Sequence, residues 1–168
     1  MIRRGLHVLV AGLSLAAHGA LALAVTRGPY LQTATSASVV VCWRTDVPVD
    51  GRVFVGSTPG ALTVVFSDAA SVTEHAIAVT GLVPRTRYYY AVGTASGALA
   101  PAAPASFVTP PASGASAPLR VWAVGDSGTA DAYARAVRDS YLAYAGARPA
   151  DLWLMLGDNA YFAGTDAE

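Results

Sequence analysis

Lysine is absent from this chain, cysteine occurs once, and neither sign of charge is in excess. All 11 basic residues are arginine, and they balance 11 acidic residues over a length of 168. Without a basic patch or a run of like charges, the sequence favours neither a nucleic-acid partner nor a charged disordered tail. The single cysteine, Cys42, excludes an internal disulfide and a metal site built from several thiolates. Its apolar neighbours predict a small buried side chain.

The first 24 residues predict a secretory signal peptide. Arg3 and Arg4 precede a short apolar stretch, and Ala22-Leu23-Ala24 has the small-x-small pattern of a cleavage site. The stretch is shorter than the roughly 20 residues that span a bilayer. We therefore expect a secreted or periplasmic protein with no membrane anchor after cleavage, with an uncleaved anchor as the alternative.

Histidine is scarce as well, since the chain has three. His7 and His18 lie inside the predicted signal peptide, which leaves His75 for the mature chain. We expect His75 to be a surface residue of a strand and not a metal ligand.

Residues 25–109 predict an all-β sandwich. Short runs rich in β-branched and aromatic residues recur at spacings of roughly 8–12, separated by turn signals such as the one at 47–51. The predicted strands cover 37–44, 52–55, 62–66, 74–79, 88–92 and 106–109. The segment 81–88 resembles the corner of fibronectin type III domains, in which a tyrosine hydroxyl caps the turn. Tyr88 would be that tyrosine, and Tyr90 would share its face of the strand. An aromatic binding platform at 88–90 is the alternative.

Residues 110–118 are rich in proline, serine and glycine, which predicts a linker. Residues 119–168 then predict the beginning of an α/β domain. The apolar run 119–124 indicates a buried strand, 131–145 has helical spacing, and 152–156 indicates a second buried strand. Within the helix, Ala134, Val137, Tyr141 and Tyr144 fall near one face. Strand, helix and strand in about 40 residues form one βαβ unit with parallel strands.

Each predicted strand of that unit ends in a Gly-Asp pair. The motif Gly-Asp-Ser-Gly occupies 125–128, and Gly-Asp-Asn-Ala-Tyr occupies 157–161. Because parallel strands end at the same edge of a sheet, Asp126 and Asp158 should emerge together where α/β sheets bind ligands. With the phenol of Tyr161 they predict an oxygen-rich site for a hard metal ion.

The two motifs, their order and their spacing resemble the purple acid phosphatases of the calcineurin-like metallophosphoesterase superfamily. The segment Arg27-Gly28-Pro29-Tyr30-Leu31-Gln32 also resembles the first strand of that family's fibronectin-like amino-terminal domain. The resemblance implies that Asp126 binds Fe(III), that Asp158 bridges Fe(III) and a divalent Fe, Zn or Mn ion, and that Tyr161 is the tyrosinate that colours the family purple. It also implies the hydrolysis of phosphate monoesters by a metal-activated hydroxide.

The sequence departs from the family pattern in one respect. The later motifs, which supply an asparagine and several histidine ligands, are missing. We therefore expect the chain to be the amino-terminal part of a longer enzyme and to be inactive alone.

Two alternatives remain. One is a secreted binding module in which the βαβ segment is a relic, and another is a phosphodiesterase or nucleotidase of the same superfamily. The motif Gly-Asp-Ser-Gly also occurs around the nucleophile of chymotrypsin-like proteases. That reading needs an upstream catalytic histidine and aspartate in a double β-barrel, which the sequence does not predict.

Overall fold

The computed structural model describes residues 23–165. The predicted signal peptide at 1–24 lies almost wholly outside this range and stays a prediction. The strands are β1 (Val25–Gln32), β2 (Ser38–Gly56), β3 (Val64–Thr80), β4 (Arg87–Thr94), β5 (Gly97–Val108), β6 (Val121–Val124) and β7 (Leu152–Met155), and helix α1 (Ala132–Ala145) lies between β6 and β7. Within residues 23–165, no helix combines the length and the hydropathy that crossing a bilayer requires.

Strands β1 to β5 form one antiparallel sheet that folds over into two layers. The first half of β2 lies between β1 and the second half of β3, so that Cys42 pairs with both Tyr30 and Ala76. The second half of β2 lies between β4 and the first half of β3, where Val55 pairs with Tyr90. The register between β2 and β3 shifts twice midway along β2. Each half of β2 therefore belongs to a different layer.

The apolar core lies between these two layers. Both halves of β2 contribute to it, because side chains alternate between the two faces of a strand. Burying a large apolar side chain contributes about 1.5–3 kcal/mol. The core residues are Val39, Val41, Trp43, Val53, Val55, Ile77, Val79, Leu82, Tyr90 and Val92. The predicted all-β sandwich is confirmed, and so is the burial of Cys42.

The turn predicted at 47–51 is wrong. β2 continues through this segment, and β3 likewise joins two strands that the sequence predicts as separate. The register shifts give the physical reason, because irregular pairing lets a strand bend and accommodate Pro48 without ending.

The corner before β4 has the fibronectin-like geometry that the sequence predicts. Tyr88 Oη accepts a hydrogen bond from Val83 N at 3.0 Å. Tyr88 and Tyr90 both lie 5.9 Å from Phe107, measured between ring centroids. Tyr90 is buried, so these two tyrosines pack within the sandwich and do not form an exposed platform.

β6, α1 and β7 form the predicted βαβ unit, with the two strands paired in parallel. Asp131 is the N-cap of α1, where its carboxylate accepts a hydrogen bond from Ala134 N at 2.8 Å. Gly146 ends the helix with a φ of 53° and donates to Leu142 O. Of the four residues predicted to fall near one face of α1, Ala134 and Tyr141 are half-buried, whereas Val137 and Tyr144 are exposed.

β7 is exposed along its whole length, although its apolar sequence predicts a buried strand. The exposed fraction is at least 42% for each of its four residues. Within the described residues, β6 is the strand that pairs with β7, which leaves the other edge of β7 uncovered. Residues 109–120 form neither helix nor strand. The domain boundaries at 109 and 118 stay a prediction.

Candidate metal centre

The Gly-Asp-Ser-Gly motif follows β6 directly, and Leu156 alone separates β7 from the Gly-Asp-Asn-Ala-Tyr motif. β6 ends at Val124 and β7 at Met155, and Leu156 N donates to Val124 O at 2.9 Å just beyond the pair. The two strands run in the same direction, so Asp126 and Asp158 leave the sheet at the same edge. This is the placement that the sequence predicts for the two carboxylates.

Both aspartates adopt the left-handed backbone conformation. The φ angle is 54° at Asp126 and 53° at Asp158. This region costs a residue with a Cβ roughly 1–2 kcal/mol, although aspartate tolerates it better than most. Two equivalent strained positions at the ends of two adjacent strands mark this edge as a candidate functional site.

Three backbone hydrogen bonds hold the two motif loops together. Asp126 N donates to Gly157 O at 3.3 Å, Gly128 N donates to Asp158 O at 2.9 Å, and Tyr161 N donates to Gly128 O at 3.1 Å. The backbone thereby fixes Tyr161 beside both aspartates even though the sequence separates it from Asp126 by 35 positions.

The three predicted ligands meet at the phenol of Tyr161. Its Oη lies 2.5 Å from Asp158 Oδ2 and also hydrogen-bonds Asp126 Oδ1. The hydrogen bond to Asp126, followed by the one to Asp158, raises the pKa of Tyr161, because both carboxylates stabilise the protonated phenol. Both aspartates are exposed, and Tyr161 is half-buried.

This donor set fits a hard cation. Two carboxylates and a phenol offer only oxygen atoms, which Fe(III), Mn and Mg ions prefer. Two carboxylates that converge on one oxygen also create a concentrated negative potential that a cation would neutralise. The described residues bring three such ligands together, whereas octahedral sites take six.

Imidazole and thiolate do not join these ligands. Within residues 23–165, no group of three or more histidine, cysteine, aspartate or glutamate side chains could hold a metal ion. His75 lies in the sandwich, where its Nε2 is 3.1 Å from Thr45 Oγ1. The prediction that His75 is a surface residue is wrong, since its exposed fraction is 5%.

A groove of about 570 Å³ runs from the site between α1 and the β6–β7 pair. Asp126 and Asn159 are among its polar lining residues, and Trp122 and Trp153 are among its apolar ones, with ring centroids 5.2 Å apart. Trp122 also stacks on Tyr141 of α1 at 4.0 Å. Its volume falls in the range of small-molecule sites.

The sequence does not predict two features of the site. Arg135 and Arg138 of α1 line the groove together with Asp126. Gly128 is buried where the two loops meet. The second glycine of Gly-Asp-Ser-Gly was the available signal, because glycine is favoured where two backbones approach closely.

No protein-family model matches the chain, and no curated protein sequence matches it. A solved structure of PhoD is similar in fold, with a TM-score of 0.56 and 20% identity over 81% of this chain. The chain spans 27% of the length of PhoD. The FN5 domain of Drosophila Lar aligns with 50% of this chain and 92% of its own length, at 23% identity and a TM-score of 0.38. The fn3 domain of human contactin 1 aligns with 64% of this chain and all of its own, at 19% identity and a TM-score of 0.37.

The similarity to PhoD is one of fold. It extends over four fifths of this chain, which is more than the sandwich alone, because β1 to β5 end at Val108. At 20% identity it carries no information about chemistry, so a function for this chain has to be argued from Asp126, Asp158 and Tyr161 themselves.

Proposed function

We propose that the protein is a metal-dependent phosphoric ester hydrolase, in which Asp126, Asp158 and Tyr161 hold the metal centre. The observation that carries the proposal is the convergence of Tyr161 Oη with one oxygen of each carboxylate. Neither a turn nor a helix cap requires a phenol at this position, whereas a hard cation gains a third anionic oxygen from it.

We propose a dinuclear centre of the purple acid phosphatase type, with Fe(III) and a divalent Fe, Zn or Mn ion, to which these residues would contribute three of the ligands. When bound, such a pair polarises a phosphate ester and lowers the pKa of a coordinated water. Asp126 and Tyr161 would supply anionic oxygens to one cation. Asp158 follows a different strand and has a second carboxylate oxygen free of the Tyr161 hydrogen bond, which suits a bridging role.

A phosphate monoester is the substrate that we propose. Arg135 and Arg138 line the groove beside Asp126 and carry the charge that an anionic ester needs. We also propose that the protein acts outside the cytoplasm, on the basis of the predicted signal peptide. A diester or nucleotide substrate would use the same metal centre and is an outcome that the assay below distinguishes.

Hydrolysis tests the proposal directly. We expect the complete gene product, loaded with Fe(III) and Zn or Mn, to hydrolyse p-nitrophenyl phosphate faster than bis-p-nitrophenyl phosphate. Asp158→Asn should lower kcat/KM by at least about 100-fold, more than the loss of an outer-shell partner. Asp68→Asn is the matched control, since Asp68 is exposed in β3 of the sandwich, where its carboxylate accepts from Ala70 N. Full turnover in Asp158→Asn would exclude its role as a ligand.

A secreted binding module is the second candidate. It is favoured by the distribution of burial, because every residue of the apolar core belongs to the sandwich. Metal binding separates the two candidates, since a relic βαβ segment would bind neither Fe(III) nor Mn²⁺ measurably.

A further inference from the structure

We propose that Gly128 is a positioning residue whose missing side chain sets the distance between Asp126 and the loop that carries Asp158 and Tyr161. Gly128 offers no donor atom to a metal through a side chain, so its effect is on the geometry of the three ligands. The effect of Gly128 on metal binding rests on the proposed function. The close packing of Gly128 against the 157–161 loop is observed independently of that function.

Gly128 occupies an unusual environment for this part of the chain. Among the described residues after Thr109, it is the one that is buried. The α1 helix contains no buried residue, and all of β7 is exposed. The tightest packing of the βαβ unit is therefore concentrated where the two motif loops touch.

The space around Gly128 cannot hold a methyl group. A Cβ there would lie 2.3 Å from Ala160 N, 2.5 Å from Asn159 C and 2.6 Å from Asp158 O. All three are backbone atoms, which cannot move away by a change of rotamer. The 157–161 loop would have to move by roughly 0.7 Å to reach the 3.0 Å that Cβ contacts require.

The backbone conformation of Gly128 does not itself require glycine. Its φ lies outside the left-handed region, unlike the φ of Gly157 at 116°. Its φ therefore gives no reason for glycine, so we expect the effect of a substitution to come from the clash with the 157–161 loop.

Gly128 also forms backbone hydrogen bonds with both proposed ligands of the opposite loop, Asp158 and Tyr161. Its N–H donates to Asp158 O, and its carbonyl accepts from Tyr161 N. A displacement that relieves the clash therefore loosens both hydrogen bonds and moves Asp158 and Tyr161 together. Asp126, two positions before Gly128, stays with β6. The shift would separate the two carboxylates and draw the phenol away from Asp126.

The test compares Gly128→Ala with Gly125→Ala in the full chain. Both add one methyl group to the same motif, but a Cβ at Gly125 meets its nearest neighbour, Leu156 Cβ, at an ordinary 3.6 Å. We expect Gly128→Ala to weaken Mn²⁺ binding, measured by electron paramagnetic resonance, by about 10- to 100-fold. Gly125→Ala should change it less than about threefold. Equal affinities in the two variants would overturn the inference.

Amide hydrogen exchange gives a second readout that needs no metal. We expect the Tyr161 amide to exchange at least about fivefold faster in Gly128→Ala than in Gly125→Ala, because its hydrogen bond is weakened. If the unsubstituted chain binds no Mn²⁺, the proposed function fails and the exchange ratio alone decides the positioning role. Equal exchange rates would overturn that role even if metal binds.

If Gly128→Ala loses the NMR signals of α1, a backbone substitution replaces it. Exchanging Gly128 for glycolic acid turns the amide into an ester, which removes the donor to Asp158 O and weakens the Ser127 carbonyl as an acceptor. We expect Mn²⁺ binding to weaken by about fivefold, since a single backbone hydrogen bond is lost. Unchanged affinity in this variant would contradict the inference.

Discussion

His75 is buried against the indole of Trp43, with the ring centroids 4.5 Å apart and the planes 8° from parallel. Its Nε2 also meets Thr45 Oγ1. Burial lowers the pKa of His75 because the charged imidazolium is poorly solvated there. Nearby negative charge opposes this effect more weakly. The opposing carboxylates are Glu74, Asp50 and Asp68.

The lowered pKa of His75 predicts a loss of stability in mild acid. Below the unfolded pKa of about 6.5, the unfolded chain binds a proton that the folded chain does not. The free energy of unfolding therefore decreases as the pH is lowered. We expect this decline between pH 7 and 5, at up to about 1.4 kcal/mol per pH unit, in urea denaturation. It should be smaller in His75→Gln. The same pH dependence in both proteins would contradict the assignment.

For single residues, the sequence predicts a position well when that position follows from the pattern of the neighbouring residues. Asp126, Asp158 and Tyr161 follow from strand ends and motif spacing. His75 could also have been placed correctly, since it precedes Ile77 and Val79 by two and four positions and alternation puts all three on one face. Gly128 is different, because its contact with Ala160 is a property of two loops that only the folded chain brings together.

At the scale of elements, local signals locate the βαβ unit well. Asp131 caps α1, Gly146 ends it, and apolar runs identify β6 and β7. The joining of predicted strands into β2 and β3 is not visible locally. It depends on whether the chain bends or breaks at positions such as Val49, which the pairing with β3 decides.

The corner before β4 gives a prediction for an element. Tyr88→Phe removes the hydroxyl that accepts from Val83 N, so we expect the free energy of unfolding to fall by about 1 kcal/mol. Tyr89→Phe is the matched control, because its side chain leaves the opposite face of β4. The control should change stability by less than about 0.5 kcal/mol. Equal effects in urea denaturation would show that the corner hydrogen bond contributes nothing specific.

On the scale of the whole molecule, the sandwich and the βαβ unit differ most in how much apolar surface they bury. The sandwich holds the entire apolar core, whereas β7 exposes each of its residues and the candidate metal centre lies at an exposed edge. Backbone hydrogen bonds between the loops, and the close approach at Gly128, therefore position the ligands without a large core beneath them. Sequence patterns predict the two parts of this architecture but not the exposure of β7, which depends on what pairs with its second edge.

The central claim is that Tyr161 and the two aspartates form one metal site, and ferric titration tests it most directly. Fe(III), supplied to the full chain as its nitrilotriacetate complex, should produce a visible tyrosinate charge-transfer band that saturates. Tyr161→Phe should lose this band, while Tyr144→Phe, at an exposed position of α1, should keep it. The absence of a band from the unsubstituted chain, or a band of equal intensity in Tyr161→Phe, would contradict the account.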